Sequence, residues 1–213
     1  MWAPSQFLAH KNDPSAVLLG DGYVEKGEWT SFVGVGGLGK TRMVLWLLVR
    51  QMLGKPWCGL ETRGGPQKAV IFSTENGIRR WKTDLGKIMA SLDEAERAVV
   101  EANLRILALT SDEDGDLCMG NPETRARLKL TLAGLEPGFA VFHPMADMIE
   151  GDESKTPDMV ATLRHLRNII RSACPNAAVI LVHHARTGSA NVKMAGSMFE
   201  AGNFGRGAKA LPS

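Results

Sequence analysis

Gly34-Val35-Gly36-Gly37-Leu38-Gly39-Lys40-Thr41 follows the pattern glycine, four residues, Gly-Lys-Thr, a spacing that suits a polyphosphate. Glycines at 34, 36, 37 and 39 let backbone amides turn inward around an anion with no side chain in the way. A β-prone run from Trp29 to Val35 leads into the loop, and an unbroken stretch from Lys40 to Leu53 leaves it. The loop therefore joins a strand to the amino end of a helix, whose dipole points its positive end at the same anion. Lys40 is placed to bridge β- and γ-phosphates, and the Thr41 hydroxyl to ligate Mg2+. The competing reading, a glycine-rich turn before an ordinary helix, leaves the full pattern in its strand–helix setting unexplained.

Three other strand ends carry reactive groups. Ser73-Thr74-Glu75-Asn76 puts a carboxylate where it would face the γ-phosphate and polarise a water for in-line attack. Glu75 could equally be a helix-start acid complementing a macrodipole, and spacing alone does not separate the two. The strand Phe139 to Phe142 is expected to deliver an acid that organises magnesium, yet its tip is His143, followed by Pro144. Mg2+ takes hard oxygen ligands, and an imidazole does not balance its charge. Asp147, four residues on, Asp152 and Glu153 are the acids that would approach such a metal through water. Val182-His183-His184-Ala185-Arg186 ends the last apolar strand in polar groups at the same rim. One imidazole there would sense the γ-phosphate and pass the signal to the following loop. No ligand carboxylate or thiol stands near the His pair at metal spacing, so zinc is not expected.

These groups need a scaffold that gathers strand ends. Strands are expected over Trp29–Val35, Ala69–Ser73, Leu104–Leu109, Phe139–Phe142 and Ala178–Val182, each a short β-prone or apolar run. Helices are expected over Lys40–Leu53, Ile78–Ser91 and Glu94–Asn103. Asn121 and Thr156 are expected to cap two more, each with proline at its first position, ending near Gly134 and Ala173. Strand–helix alternation with nearly continuous apolar strands implies an α/β fold, a mostly parallel sheet covered by helices on both faces. Its ligand then sits beyond the carboxyl ends of the strands. Cys58–Gln67, Thr110–Gly120 and Ala185–Gly205 read as irregular.

The chain has 213 residues, enough for one such domain and too few for two of full size. With a net charge of +2, composition alone does not argue for nucleic acid. Charge distribution is uneven. Asp112, Glu113, Asp114 and Asp116 form one acidic cluster, while from Arg164 onward seven Lys or Arg face the single acid Glu200. That asymmetry points to an anionic partner near the C-terminal third, although a solvated helix face accounts for the first three arginines. Cys58, Cys118 and Cys174 lack any paired spacing, so a reducing cytoplasm is the expected setting. The N-terminal residues lack the pattern of a signal peptide, and no apolar stretch is long enough to span a membrane.

The ordered set of Gly34–Thr41, Ser73-Thr74-Glu75, Val141-Phe142-His143-Pro144-Met145-Ala146-Asp147, Leu181-Val182-His183-His184 and Phe204-Gly205-Arg206-Gly207-Ala208 resembles the RecA-type P-loop ATPase core. Within it, the set is similar to the plasmid- and phage-encoded group typified by the RepA hexameric replicative helicase. The resemblance spans about Leu18 to Leu211, which leaves residues 1–17 as an N-terminal extension and 18–213 as the ATPase domain. It implies ATP with Mg2+, Lys40 and Thr41 on phosphate and metal, Glu75 as catalytic glutamate and His184 as γ-phosphate sensor. It also implies that Arg206 reaches a neighbouring subunit's nucleotide in a homo-oligomer, a hexamer in this family. Arg186 and Lys193 fall on the family's loop facing single-stranded DNA. Two departures stand out: His143 replaces the strand-tip aspartate, and the family core usually continues with further strands beyond the Arg-Gly motif. Adenine rests on the resemblance, since nothing here matches the Asn-Lys-x-Asp guanine pattern. Two function classes follow, an ATP-driven motor acting on DNA and a nucleotide-binding module with weak hydrolysis. A small-molecule kinase is more distant, because no lid-like Arg-rich segment or acceptor site is evident.

Overall fold

Short apolar strands buried on both faces need cover on both sides, and a computed structural model shows how the chain supplies it. It describes residues 2–11, 13–109, 116–152 and 155–184. A short exposed helix, α1 (Pro4–Ala9), precedes a small antiparallel pair, β1 (Val17–Leu19) and β2 (Val24–Glu25). The remaining elements alternate: β3 (Trp29–Gly34), α2 (Lys40–Met52), β4 (Ala69–Ser73), α3 (Ile78–Ala90), α4 (Glu94–Asn103), β5 (Leu104–Ala108), α5 (Pro122–Leu135), β6 (Phe139–His143), α6 (Thr156–Ala173) and β7 (Ala178–His184). The last five strands form one sheet in the order β3-β7-β6-β4-β5, and every pairing is parallel.

Side chains alternate across that sheet with period two. Ala69, Ile71, Phe139, Val141, Ala178, Ile180 and Val182 face one core, which α2, α3 and α4 cover. Val70, Phe72, Ala140, Phe142, Val179 and Leu181 face the other, where α5 packs against α6. Phe72 and Phe142 stack on adjacent strands, ring centroids 5.2 Å apart. Burying one such ring contributes about 1.5–3 kcal/mol, so both layers depend on the same strands.

The doubly covered parallel sheet is as the apolar strand runs imply. Several ends shift by one residue, and two differences have a cause in the chain. β7 continues through His184 because Val33 and Gly34 of β3 pair with His183 and His184, a register that the break in apolarity after Val182 concealed. Thr156 is the first helical residue of α6 and does not cap it; Lys155 occupies the cap with no side-chain hydrogen bond. At α5, by contrast, the Asn121 side chain accepts from the Glu123 amide at 2.9 Å. The expectation of lost C-terminal strands falls outside the described residues.

Candidate nucleotide site

All five parallel strands end at one rim, and β3, β4, β6 and β7 bring the reactive residues there. The loop after β3 turns through Gly37 and Gly39, with φ of +81° and +76° and open space where a Cβ would stand. Side chains rarely adopt that backbone, so glycine keeps the amides turned inward. Gly39 is the N-cap of α2 and no side chain caps the helix, which leaves its first amides directed at the cleft. The Lys40 ammonium donates to the carbonyls of Gly34 at 2.8 Å and Val35 at 2.9 Å. Burial pushes the Lys40 pKa down, and the nearby Glu75 opposes that shift. These features fit the phosphates of a nucleotide: a built concavity, unfilled helix amides and a cation held beside them.

Parallel register joins the other strand tips. β4 and β6 pair Ser73 with His143, and β3 and β7 pair Gly34 with His184. Glu75 follows β4 closely, and its Oε2 lies 3.1 Å from His143 Nε2 and 3.0 Å from His184 Nε2. Thr41 Oγ1 is 2.9 Å from His143 Nε2, and Ser73 Oγ is 3.4 Å from Nδ1 of the same ring. His184 Nδ1 is 3.4 Å from the Lys40 ammonium. The His143 side chain is only 2% exposed. Burial pulls its pKa down, Glu75 raises it, and the charges of His184 and Lys40 lower it further. His143 is therefore neutral at neutral pH and carries one ring proton, which the acceptor-only Glu75 carboxylate places on Nε2.

Asp147 accepts a hydrogen bond from the Thr74 hydroxyl and is not among the His, Cys, Asp and Glu groups that converge on the loop. That group is Glu75, His143 and His184, with ligand atoms within 4.8 Å of one another. The expectation that no carboxylate stands near the His pair is thereby corrected, since Glu75 arrives from a distant strand. Of the pair only His184 faces the cleft, because strand alternation turns His183 to the other side. Arg42, Asn76, Arg80 and Asp84 also line the cleft. Asp84 accepts from Arg42 at 2.7 Å and Arg80 at 2.9 Å; apart from the place of Arg42 directly after the loop, no sequence signal marks them. Arg186, Lys193 and Arg206 lie outside the described residues.

The family model described as AAA domain matches residues 4–190. The chain belongs to the AAA domain family. A search of curated proteins finds no match. In this AAA domain, as a P-loop ATPase fold, the loop and the strand-tip groups share one cleft. The nucleotide's phosphates fit the cradle, whereas its usual companion Mg2+ does not suit the donors opposite. Those donors are one hydroxyl, one carboxylate and two imidazoles, with a neutral ring where a hard anionic oxygen is expected. No helix among the described residues is long and apolar enough to cross a membrane.

Proposed function

We propose that this AAA domain binds ATP on the Gly34–Thr41 loop and hydrolyses it, with Glu75 as general base, as an oligomeric motor on single-stranded DNA. One observation carries the hydrolytic part: the Glu75 carboxylate stands beside the phosphate cradle, held by His143 and His184 at 3.1 Å and 3.0 Å. A structural helix-start acid would have no need of two imidazoles. In the reaction a water oxygen bonds to the γ-phosphorus, its proton passes to Glu75, and the β–γ bridging oxygen leaves with ADP. Lys40 moves from the Gly34 and Val35 carbonyls to the phosphates. His184, between Glu75 and Lys40, relates the state of the γ-phosphate to the chain that follows β7.

The DNA and oligomer parts rest on the resemblance to RepA-like helicases. They assign Arg206 to a neighbour's nucleotide and Arg186 and Lys193 to DNA phosphates, contacts that weaken with salt. A second reading, a nucleotide-binding module with weak turnover, draws on the neutral His143 in place of an acid. Steady-state ATP hydrolysis with and without single-stranded DNA, with Lys40→Ala as the blank, separates the two. Turnover that DNA stimulates and Lys40→Ala abolishes establishes the motor. Lys40-dependent binding without turnover establishes the module.

A further inference from the structure

We propose that Glu75, His143 and His184 hold a borderline divalent transition-metal ion of the Zn2+ or Co2+ class, in preference to Mg2+, beside the phosphate cradle. The donor set is the first reason. Two imidazoles and a carboxylate suit first-row transition ions, whereas Mg2+ selects oxygen alone. Spacing is the second. Metal–ligand bonds of about 2.0–2.2 Å in a tetrahedral array leave neighbouring ligand atoms roughly 3.4 Å apart, and the carboxylate–imidazole separations of 3.1 Å and 3.0 Å lie within a small side-chain shift of that. The imidazole nitrogens, within 4.8 Å of each other, close on an ion by small side-chain rotations. Thr41 Oγ1, 2.9 Å from His143 Nε2, adds an oxygen on the side facing the loop. Exposure is the third: His143 is buried while Glu75 and His184 are 45% and 34% exposed, so one side of the site stays open to water or phosphate, as catalytic metal sites require.

Ring protons set when the site closes. Ligation through Nε2 leaves Nδ1 to carry the ring proton of a neutral imidazole. At His143 the Nδ1 neighbour is the Ser73 hydroxyl at 3.4 Å, which donates or accepts equally well. At His184 the neighbour is the Lys40 ammonium at 3.4 Å, which only donates. A proton on that nitrogen is unfavourable until Lys40 swings onto a phosphate. The nucleotide and the ion therefore bind cooperatively; this coupling rests on the phosphate-loop reading, while the three-ligand site does not.

Cobalt reads this out directly. The full chain is titrated with CoCl2 and followed by visible absorption, with ZnCl2 and MgCl2 as competitors, with and without a non-hydrolysable ATP analogue. The expected result is one Co2+ per chain, displaced by Zn2+ and not by a large excess of Mg2+, and bound more tightly with the analogue. Glu75→Gln and His184→Ala, on part-exposed side chains that leave the fold intact by circular dichroism, each weaken Co2+ at least about tenfold. His143→Asp turns the preference toward Mg2+. Co2+ uptake indifferent to all three substitutions, or Mg2+ competing on equal terms, overturns the proposal. Binding of a fluorescent ATP analogue in EDTA keeps the two readings apart. Nucleotide bound without any Co2+ spectrum sinks the metal site alone, and a Co2+ spectrum without Lys40-dependent nucleotide binding sustains the metal site and sinks the phosphate-loop reading alone.

Discussion

Glu75 decides between chemistry and mere binding, because its carboxylate stands beside the phosphate cradle with two imidazoles against it. Glu75→Gln keeps an oxygen for the two imidazoles and removes the base. It should lower kcat about 10²–10⁴-fold while ATP affinity in EDTA holds, as read by single-turnover hydrolysis beside a nucleotide titration without metal. A helix-start acid with no catalytic part would leave kcat where it was. Lys40→Ala does the opposite. It deletes a charge-assisted contact of about 1.5–3 kcal/mol, so nucleotide affinity falls roughly ten- to a hundredfold, measurable by titration calorimetry. The loop was legible from Gly34 to Thr41 because its chemistry is local, eight consecutive residues whose spacing alone builds the cradle. The cluster of Glu75, His143 and His184 was not, because its members share no spacing. Each strand end could be read separately; their meeting at one oxygen depends on which strands are neighbours, and that is a property of the sheet.

Between elements, the joint that bears on the site is the one α2 makes with α3. Asp84 of α3 accepts from Arg42 of α2 and from Arg80 one turn back on its own helix, so the phosphate-loop helix is tied to the helix that follows Glu75. Burial pushes the Asp84 carboxyl up, yet the hydrogen bonds and charges of Arg42 and Arg80 outweigh it and leave the pKa below its ordinary value. A carboxylate with a folded pKa below the unfolded one stabilises the fold above the unfolded value, and that contribution fades as pH falls through the folded one. Asp84→Asn should thus cost about 1 kcal/mol at neutral pH, since both arginines are half exposed and screened. The gap between wild type and variant should narrow below about pH 4, which urea melts at a series of pH values would show. Identities of β4, β6 and β7 followed from the apolar runs because these inner strands are covered on both faces and leave no polar face to confuse them. The misread ends share a cause. His183 and His184 look like loop residues until β3 is seen beside them, and Thr156 looks like a cap although its neighbour Lys155 occupies that place.

Across the whole molecule, one sheet serves two cores, so neither helix layer can leave without exposing strands that the other layer also covers. Such coupling favours a single cooperative unfolding step. Cys174 reports on it. The residue ends α6 and precedes β7, at the edge of the sheet opposite the nucleotide rim, and it is buried in the layer that α2 does not touch. Burial pushes its thiol pKa up to about 11, so little thiolate exists at neutral pH and a thiol reagent has to wait for unfolding. Cys58 is exposed and Cys118 intermediate, and both serve as internal references. With a disulfide reagent, Cys58 should react first, Cys118 next, and Cys174 only at the rate of global opening. A non-hydrolysable ATP analogue at about 100 times its Kd adds about 2.7 kcal/mol to folding. It should therefore slow Cys174 about a hundredfold when opening equilibrates before reaction, and leave Cys58 unchanged. Lys40→Ala should cancel the protection. If Cys174 instead reacts at the Cys58 rate and ignores the nucleotide, the end of α6 opens by itself and the two cores are not coupled through the sheet.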